Sequence, residues 1–361
     1  MKKWVIDKKL FKQIDFSLLI AVLLISIFGA LNVYSASRST SLFVSQFVGI
    51  GIGLILVYLV LLVDYSVLTG YSTVLYWLGI ISLVYTLFFT TPINGANSWI
   101  QIGSQQLEPA GFFEVILTLF IAKQINDMDS EVNKLKNIGI IVVYTIIPVV
   151  LIFKQPNIGM AVICLCITLG IIFICGINLK IIYGAIITSV PLCWLVWNSS
   201  ILQQHQRSRI TSLFEQSSYQ LANSKVGIGS GGLLGKGFLK GTQVAGQYVP
   251  ENHTDFIFSV VGEEWGLIGA IVLLLLYAFI LYKILKIGRQ SKDIVGQMIC
   301  AGTFTGLMFS IFWNIGMTVG IVPISGIPLP FMSHGNSFIF SNYIIIALVM
   351  NIGMRKKKIN F

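Results

Sequence analysis

The side chains best suited to chemistry lie together in one polar stretch of an otherwise apolar chain. Asn252-His253-Thr254-Asp255 ends a long polar, glycine-rich segment, and an apolar run from residue 256 to about residue 285 follows it directly. An ionisable residue where a loop enters a membrane helix is a candidate functional site, because burying it without a purpose costs several kcal/mol by some scales. Asp255 is therefore the first candidate, with His253 and Thr254 beside it.

A second interpretation of Asp255 is purely structural. Aspartate is a favourable N-cap, and its negative charge suits a helix N-terminus. Two more carboxylates, Glu263 and Glu264, interrupt the apolar run. On one continuous helix Asp255 and Glu263 would face nearly the same way, and carboxylates at this depth should point into the helix bundle or a wet cavity. Both interpretations of Asp255 stay open at this point.

The segment before Asp255 combines glycines with lysines. Residues 227–241 read GIGSGGLLGKGFLKG, and Lys225, Lys236 and Lys240 lie in or beside them. Glycine lets a backbone approach a ligand closely, and its amides next to lysines could hold a phosphate or pyrophosphate. The segment is not a P-loop, because Ser230 stands where the first glycine is needed and no Ser or Thr follows Lys236.

Composition places these residues in a membrane protein. Hydrophobic residues make up 55% of the chain and charged residues 11%, whereas soluble domains carry about 25% charge. Nine apolar runs are long enough, or nearly so, to cross a bilayer, and the run 112–125 is weaker. The nine runs are 16–33, 47–62, 75–89, 138–153, 158–177, 181–197, 256–285, 298–322 and 337–352.

We therefore predict a single all-α polytopic membrane domain over residues 1–361 with about ten transmembrane helices. A large extracytoplasmic loop, 198–255, lies between helices seven and eight. The basic residues set the orientation, since cytoplasmic loops retain Lys and Arg. With a cytoplasmic N-terminus (1–14) and C-terminus (354–361), 17 of the 24 basic residues lie on the cytoplasmic side.

Five of the seven other basic residues lie in the long external loop. Their position suggests an anionic partner, although a long loop can also be translocated regardless of its charge. The positive charge at the chain ends borders membrane helices and suits anionic lipid headgroups, so nucleic acid is not an expected partner. All five cysteines fall in apolar runs without metal-ligand spacing, and packing explains them.

Two other loops carry polar residues. Trp99 lies in the turn-rich segment 91–110, either as an interfacial anchor or packed against a substrate. The segment 323–337 reads PISGIPLPFMSHGNS, and its prolines and glycines predict a re-entrant or tightly turned element. We expect His334 in this segment to be an ordinary polar loop residue and not a metal ligand.

Several of these motifs together resemble the RodA/FtsW/SpoVE (SEDS) family of cell-wall polymerases over essentially the whole chain. The resemblance rests on GSGGLLGKGFLKGTQ, PENHTDFIF and GEE within residues 224–264, and on QPNIGMA and GIPLPFMSHGNS. The GKGFLKGTQ segment is most similar to RodA. The resemblance implies a peptidoglycan glycosyltransferase of the bacterial cytoplasmic membrane that polymerises lipid II for cell elongation and works with a class B penicillin-binding protein.

The resemblance also assigns roles to residues. Asp255 would be the general base that removes a proton from the 4-hydroxyl of one saccharide as it attacks the anomeric carbon of another. A lipid pyrophosphate leaves, and its charge would be stabilised by one of the basic loop residues or by a divalent cation, Mg²⁺ or Mn²⁺, with no other cofactor. The expected substrate-binding residues are Trp99, Arg209, Lys225, Lys236, Lys240, His253, Thr254, Glu264 and Ser333.

This sequence departs from the family pattern at several positions around the presumed cavity. Ser98 takes the place of the Arg in the usual R-W-I, and residues 108–114 read EPAGFFE in place of Q-P-S-E-x-x-K. Asn157 replaces the Asp of QPDLGT, and His334 replaces the Tyr of S-Y-G-G. Two other functions stay open. The chain could transport the lipid-linked precursor, or it could be a non-catalytic scaffold for a transpeptidase.

Overall fold

The computed structural model describes residues 8–356 apart from 92–96, 104, 130, 179, 182–183, 185–186 and 188–218. Helices account for nearly all of the secondary structure in this part of the chain. They are α1 (Lys8–Phe11), α2 (Phe16–Ser37), α3 (Thr40–Leu62), α4 (Tyr65–Gly70), α5 (Ser72–Phe89), α6 (Pro109–Asp127), α7 (Leu135–Lys154), α8 (Ile158–Ile174), α9 (Tyr219–Gly231), α10 (Thr242–Ala245), α11 (Ile257–Arg289), α12 (Ile294–Val319) and α13 (Asn336–Met354). One antiparallel hairpin, β1 (Ile100–Ile102) and β2 (Gln105–Leu107), precedes α6.

Each predicted transmembrane span that the structure describes coincides with a helix. Within the described residues seven helices are long and apolar enough to span a bilayer, namely α2, α3, α5, α7, α11, α12 and α13. The 17-residue α8 and the charged α6 coincide with two further predicted spans. The predicted span 181–197 lies almost entirely outside the described residues. The chain is an integral membrane protein.

The helix α13 forms the centre of the bundle. Nearly all of its residues are buried, whereas α2, α3 and α5 expose large apolar side chains along their outer faces, as lipid-facing helices do. Small residues let α2 and α3 approach the centre: Gly53 of α3 faces the ring of Tyr343, and Gly29 of α2 faces the backbone of Met332. Helix α2 therefore packs against the segment before α13, and α3 packs against α13 itself.

A break in α11 corrects the prediction of one continuous span over 256–285. Gly266 has φ 65° and ψ −161°, a conformation outside the helix region that glycine adopts most readily. Backbone groups freed by such a break must find partners inside a membrane protein. Four backbone hydrogen bonds supply them: Lys236 N–H to Glu263 O (3.0 Å), Gly237 N–H to Glu264 O (3.0 Å), Leu267 N–H to Gly232 O (3.0 Å) and Ile268 N–H to Leu233 O (3.1 Å).

The glycines of this segment approach protein backbone, where the sequence suggested a ligand. A Cβ added at Gly231 would overlap the carbonyl oxygen of Gly262, and one at Gly235 would overlap that of Glu264. The segment 231–237 therefore fills the break in α11, and the expectation that its glycines cradle a phosphate is not supported. We call residues 231–237 the glycine plug.

Candidate active site

Asp255 lies in a turn just before α11 and not on the helix. The helix begins at Ile257, its N-cap is Phe256, and no side chain caps it. The N-cap interpretation of Asp255 is therefore wrong. The argument that Asp255 and Glu263 share one helix face is also wrong, since residues 251–256 form turns.

The backbone of this turn is held by the neighbouring helix α12. The buried Asn314 donates from Nδ2 to the carbonyl oxygens of Asp255, at 2.8 Å, and Ile327, at 2.7 Å. One amide group thus ties the turn to the proline-rich segment 323–335. This fixes the position of Asp255 without using its carboxyl group.

Ser333 and His334, at the end of the proline-rich segment, bind the same turn. The predicted site residues Ser333, His253 and Thr254 are therefore brought together, largely through backbone contacts. The hydrogen bonds are Ser333 Oγ to Thr254 O (2.6 Å), Leu329 N–H to Ser333 Oγ (2.8 Å) and His334 N–H to His253 O (3.0 Å). His334 Nδ1 also lies 2.9 Å from Gln46 Oε1, and burial lowers the pKa of its ring to about 4.

The carboxyl group of Asp255 is left free for chemistry. No hydrogen-bond or ion-pair partner holds its side chain within the described residues, and part of it remains exposed. Burial and, to a smaller extent, the charge of Glu251 raise the pKa of this carboxyl to about 7. Gly326 lies beside it, with a Cβ position 3.5 Å from Asp255 Oδ2. A carboxylate with a pKa near 7 on a fixed turn suits general-base catalysis.

Glu108 is a second carboxyl in this region, and the sequence analysis did not select it as a site residue. Glu108 occupies the N-cap position of α6, and its Oε1 accepts a hydrogen bond from Asn157 Nδ2 at 2.5 Å. Burial raises its pKa to about 7, and the negative charge of Asp255 adds to the effect. The sequence signal for Glu108 is that it departs from the family pattern together with Asn157, because position 108 gains the carboxyl that position 157 loses.

The two acidic residues of α11 hold the protein's own loop. Glu263 is buried, as expected, and accepts hydrogen bonds from Lys236 Nζ at 2.7 Å and from the N–H groups of Gln243 and Val244 at 2.9 and 3.0 Å. These amides belong to the first turn of α10, where a negative charge is favourable. Lys236, one of the predicted pyrophosphate ligands, is thus already paired with a carboxylate.

Glu264 is also buried and is bonded to protein groups. Its Oε1 accepts from Ser35 Oγ at 2.5 Å and from the N–H of Gly241 at 3.3 Å. Arg38 adds a bond from its guanidinium to the carbonyl of Leu239 at 2.7 Å. The structure therefore places Glu264 as an anchor between α2 and the loop that follows the glycine plug.

The other predicted basic residues differ in their surroundings. Lys225 and Lys240 are exposed and form no ion pair in the described part of the chain. Lys225 lies against Gly320, at the end of α12. Arg209 lies outside the described residues. Two exposed cations on the predicted external side, Lys225 and Lys240, are thus available to an anionic substrate group, whereas Lys236 is already paired.

Trp99 lies at the start of the β hairpin that ends next to Glu108. Its side chain is partly buried, and the preceding Ser98 donates from Oγ to the carbonyl of Gln155 at 3.1 Å. The hairpin therefore sits over the corner between α7 and α8 that also carries Asn157. This position is compatible with both interpretations of Trp99, as an anchor and as a substrate contact.

Glu114, in α6, is partly buried and has one carboxyl oxygen without a partner. Its Oε1 has no hydrogen-bond partner and is inaccessible to solvent. Such a group costs about 1–3 kcal/mol, and more when charged. We expect Glu114→Gln, which keeps the shape and removes the charge, to raise the melting temperature in detergent by about 2 °C or more. Differential scanning fluorimetry measures this, with the exposed Glu131→Gln as control. A lower melting temperature would contradict the assignment.

A family model for the cell cycle proteins FtsW, RodA and SpoVE matches residues 10–358. The peptidoglycan glycosyltransferase MrdB of Escherichia coli K12 is 31% identical over 358 residues, which cover 96% of this chain and 95% of MrdB. The similarity therefore extends over the transmembrane helices and the loops that build the site.

Solved structures show the same arrangement of helices. The rod shape determining protein RodA of Thermus thermophilus matches with a TM-score of 0.73 at 25% identity, over 96% of this chain and 98% of RodA. A chain from a peptidoglycan synthase complex that coordinates polymerization and crosslinking matches with a TM-score of 0.82 at 25% identity, over 94% of this chain and 97% of that chain.

Proposed function

Because this chain belongs to the FtsW/RodA/SpoVE family, we propose that it is a peptidoglycan glycosyltransferase that polymerises lipid II, with Asp255 as general base. One observation carries the residue assignment. Asp255 has a partly exposed carboxyl with a raised pKa and no protein partner in the described residues, on a turn whose backbone is fixed by Asn314 and Ser333. Glu263, which holds the protein's own loop, is instead paired with Lys236.

In the proposed reaction Asp255 accepts the proton of a saccharide 4-hydroxyl. The hydroxyl oxygen attacks the anomeric carbon of a second lipid-linked saccharide and forms the new glycosidic bond. The bond between that carbon and the lipid pyrophosphate breaks, and its electron pair leaves with the pyrophosphate. Asp255 then loses the proton to solvent, which its pKa of about 7 permits at neutral pH.

The charge of the leaving pyrophosphate needs cations nearby. The exposed Lys225 and Lys240, together with Arg209, are our candidates, and Lys236 contributes less because Glu263 already holds it. A divalent cation was the other expectation. Among the described residues no three His, Cys, Asp or Glu side chains converge as a metal site. The proposed reaction is therefore written with protein side chains only.

We further propose that both termini are cytoplasmic and that the reaction takes place outside the bacterial cytoplasmic membrane. The distribution of 17 of the 24 basic residues supports this orientation. A class B penicillin-binding protein is the proposed partner, since a structurally similar chain belongs to a complex that joins polymerization to crosslinking.

Cysteine labelling of intact cells at Lys240→Cys tests the orientation of the chain in the membrane. We expect a membrane-impermeant reagent to label this cysteine, and failure to label it would contradict the orientation.

The pH dependence of the reaction follows from the state of Asp255. Only the deprotonated carboxylate can act as a base, so kcat/KM should rise about tenfold per pH unit below about pH 7 and level off above it. Glu251→Gln removes a neighbouring negative charge that disfavours the carboxylate. We therefore expect it to move the acid limb to lower pH, by up to about one unit. A limb that moves to higher pH would contradict this account.

The function is tested with purified protein in proteoliposomes that contain fluorescent lipid II. We expect lipid-linked strands that a muramidase cuts to disaccharide units. A transporter would instead change the side on which lipid II is accessible without lengthening it. A scaffold would do neither, and either result would overturn the proposal.

A further inference from the structure

Two positions at which the sequence departs from its family are bonded to each other. Asn157 Nδ2 donates to Glu108 Oε1 at 2.5 Å. The family pattern has glutamine at the first position and aspartate at the second, so this chain keeps one carboxyl and one carboxamide but exchanges their places. The two departures form one compensated change.

Both partners are fixed by the ends of secondary-structure elements. The N–H of Glu108, which directly follows β2, donates to Ser337 Oγ at 3.0 Å. Asn157 is the N-cap of α8, and its Oδ1 accepts the N–H of Met160 at 3.3 Å. This cap commits Oδ1 of Asn157 as an acceptor, so its amide nitrogen is the atom left to hold Glu108.

The pair borders the same segment as the general base. A Cβ at Gly159, in the first turn of α8, would lie 3.1 Å from the carbonyl oxygen of Ser325. The next residue, Gly326, lies beside Asp255 Oδ2. Residues 325–327 therefore contact the start of α8 on one side and Asp255 on the other, so this short segment lies between the helix whose N-cap holds Glu108 and the turn that carries Asp255.

The second oxygen of Glu108 is available to a ligand. Oε2 has no hydrogen-bond partner among the described residues, and the side chain is partly exposed. A carboxylate oxygen only accepts hydrogen bonds, and saccharide hydroxyls donate them. Ser325 Oγ, in the shared segment, is a further polar atom without a partner. The anchored carboxyl is thus presented with one free acceptor.

We propose that Glu108 is a substrate-binding residue whose free oxygen accepts a hydrogen bond from a saccharide hydroxyl of the lipid-linked substrate, with Asn157 as its positioning residue. The inference rests on the proposed function, since it names what places the substrate against Asp255. The affinity for the lipid-linked substrate then depends on whether the free atom of residue 108 accepts or donates a hydrogen bond.

The exchange of the two side chains can be reversed in the laboratory. In Glu108→Gln, Asn157 still needs an acceptor, so the glutamine oxygen faces Asn157 and its NH₂ donor faces the substrate. In the double variant Glu108→Gln/Asn157→Asp, the aspartate needs a donor, so the glutamine turns and its oxygen faces the substrate again. The single variant should lose affinity, and the double variant should recover it.

The experiment measures the Kd for fluorescent lipid II, and KM and kcat for its polymerisation, in wild type, both single variants and the double variant. A lost hydrogen bond to a charged group costs about 1.5–3 kcal/mol, so Kd and KM should rise about tenfold or more in Glu108→Gln, with kcat within about threefold. The double variant presents a neutral amide oxygen, so it should recover most of this loss and return to within about fivefold of wild type. Glu131→Gln, on an exposed connector, is the carboxylate-removal control.

An unchanged Kd in Glu108→Gln, or a double variant no better than the single ones, would overturn the inference. Equal melting temperatures exclude misfolding as the cause. If the wild type binds lipid II without polymerising it, the proposed function fails, while the binding comparison still tests Glu108.

Discussion

Asp255→Asn is expected to lower the rate of glycan-strand synthesis by about 10²–10⁴-fold, the contribution typical of a general base. Asparagine has nearly the same shape but cannot accept the proton of the attacking hydroxyl. The loss should appear in kcat, because the substitution keeps the hydrogen bond from Asn314 Nδ2 to the backbone carbonyl of residue 255 and so leaves the turn in place. Initial rates with fluorescent lipid II measure it.

Stability and binding provide the controls for this prediction. The Asp255 side chain has no hydrogen-bond partner among the described residues, and its raised pKa means that folding disfavours the ionised carboxyl, so the melting temperature at neutral pH should equal or exceed that of wild type. The Kd for lipid II should stay within about threefold of wild type. A variant that keeps more than about a tenth of the wild-type rate would show that another group removes the proton.

Gly235→Ala is expected to destabilise the protein by several kcal/mol and to abolish polymerisation with it. Gly235 has φ +77°, which costs an L-residue about 1–2 kcal/mol, and an added Cβ would overlap the carbonyl oxygen of Glu264. The glycine plug would have to leave the break in α11 and expose the backbone groups that it pairs. Melting temperature and detergent-soluble yield measure the effect.

Gly232→Ala is the matched control in the same segment. Gly232 also has a positive φ, +57°, but nothing lies within 4 Å of its Cβ position. It should therefore show only the conformational cost of about 1–2 kcal/mol. Equal effects of the two substitutions would show that backbone conformation alone matters and that the plug does not depend on close contact.

The apolar runs predicted the helices because each run is long and local in sequence. The break at Gly266 could not be predicted in the same way, because Glu263 and Glu264 interrupt the apolar run just before it but do not show whether the helix continues. Its partners lie about thirty residues earlier, in the glycine plug, and hydrogen bonds between backbone groups leave no mark in side-chain chemistry. The plug's glycines were visible, but the sequence gives no means of telling a ligand from a neighbouring backbone.

The site was predictable where one residue carries the signal by itself. Asp255 stands out as a carboxyl at the edge of an apolar run, and its selection from sequence needed no partner. Glu108 does not, because its partner Asn157 is 49 positions away and each looks like an isolated departure. Likewise, Lys236 looked like a free cation, and only the fold brings Glu263 to it.

Strand synthesis from purified lipid II, by wild type and Asp255→Asn, each with and without the cognate class B penicillin-binding protein, tests the central claim most directly. We expect wild type to form strands, with the partner at most raising the rate, and Asp255→Asn to form none at equal folding. Absence of strands from wild type even with the partner, or equal strands from both proteins, would contradict the account.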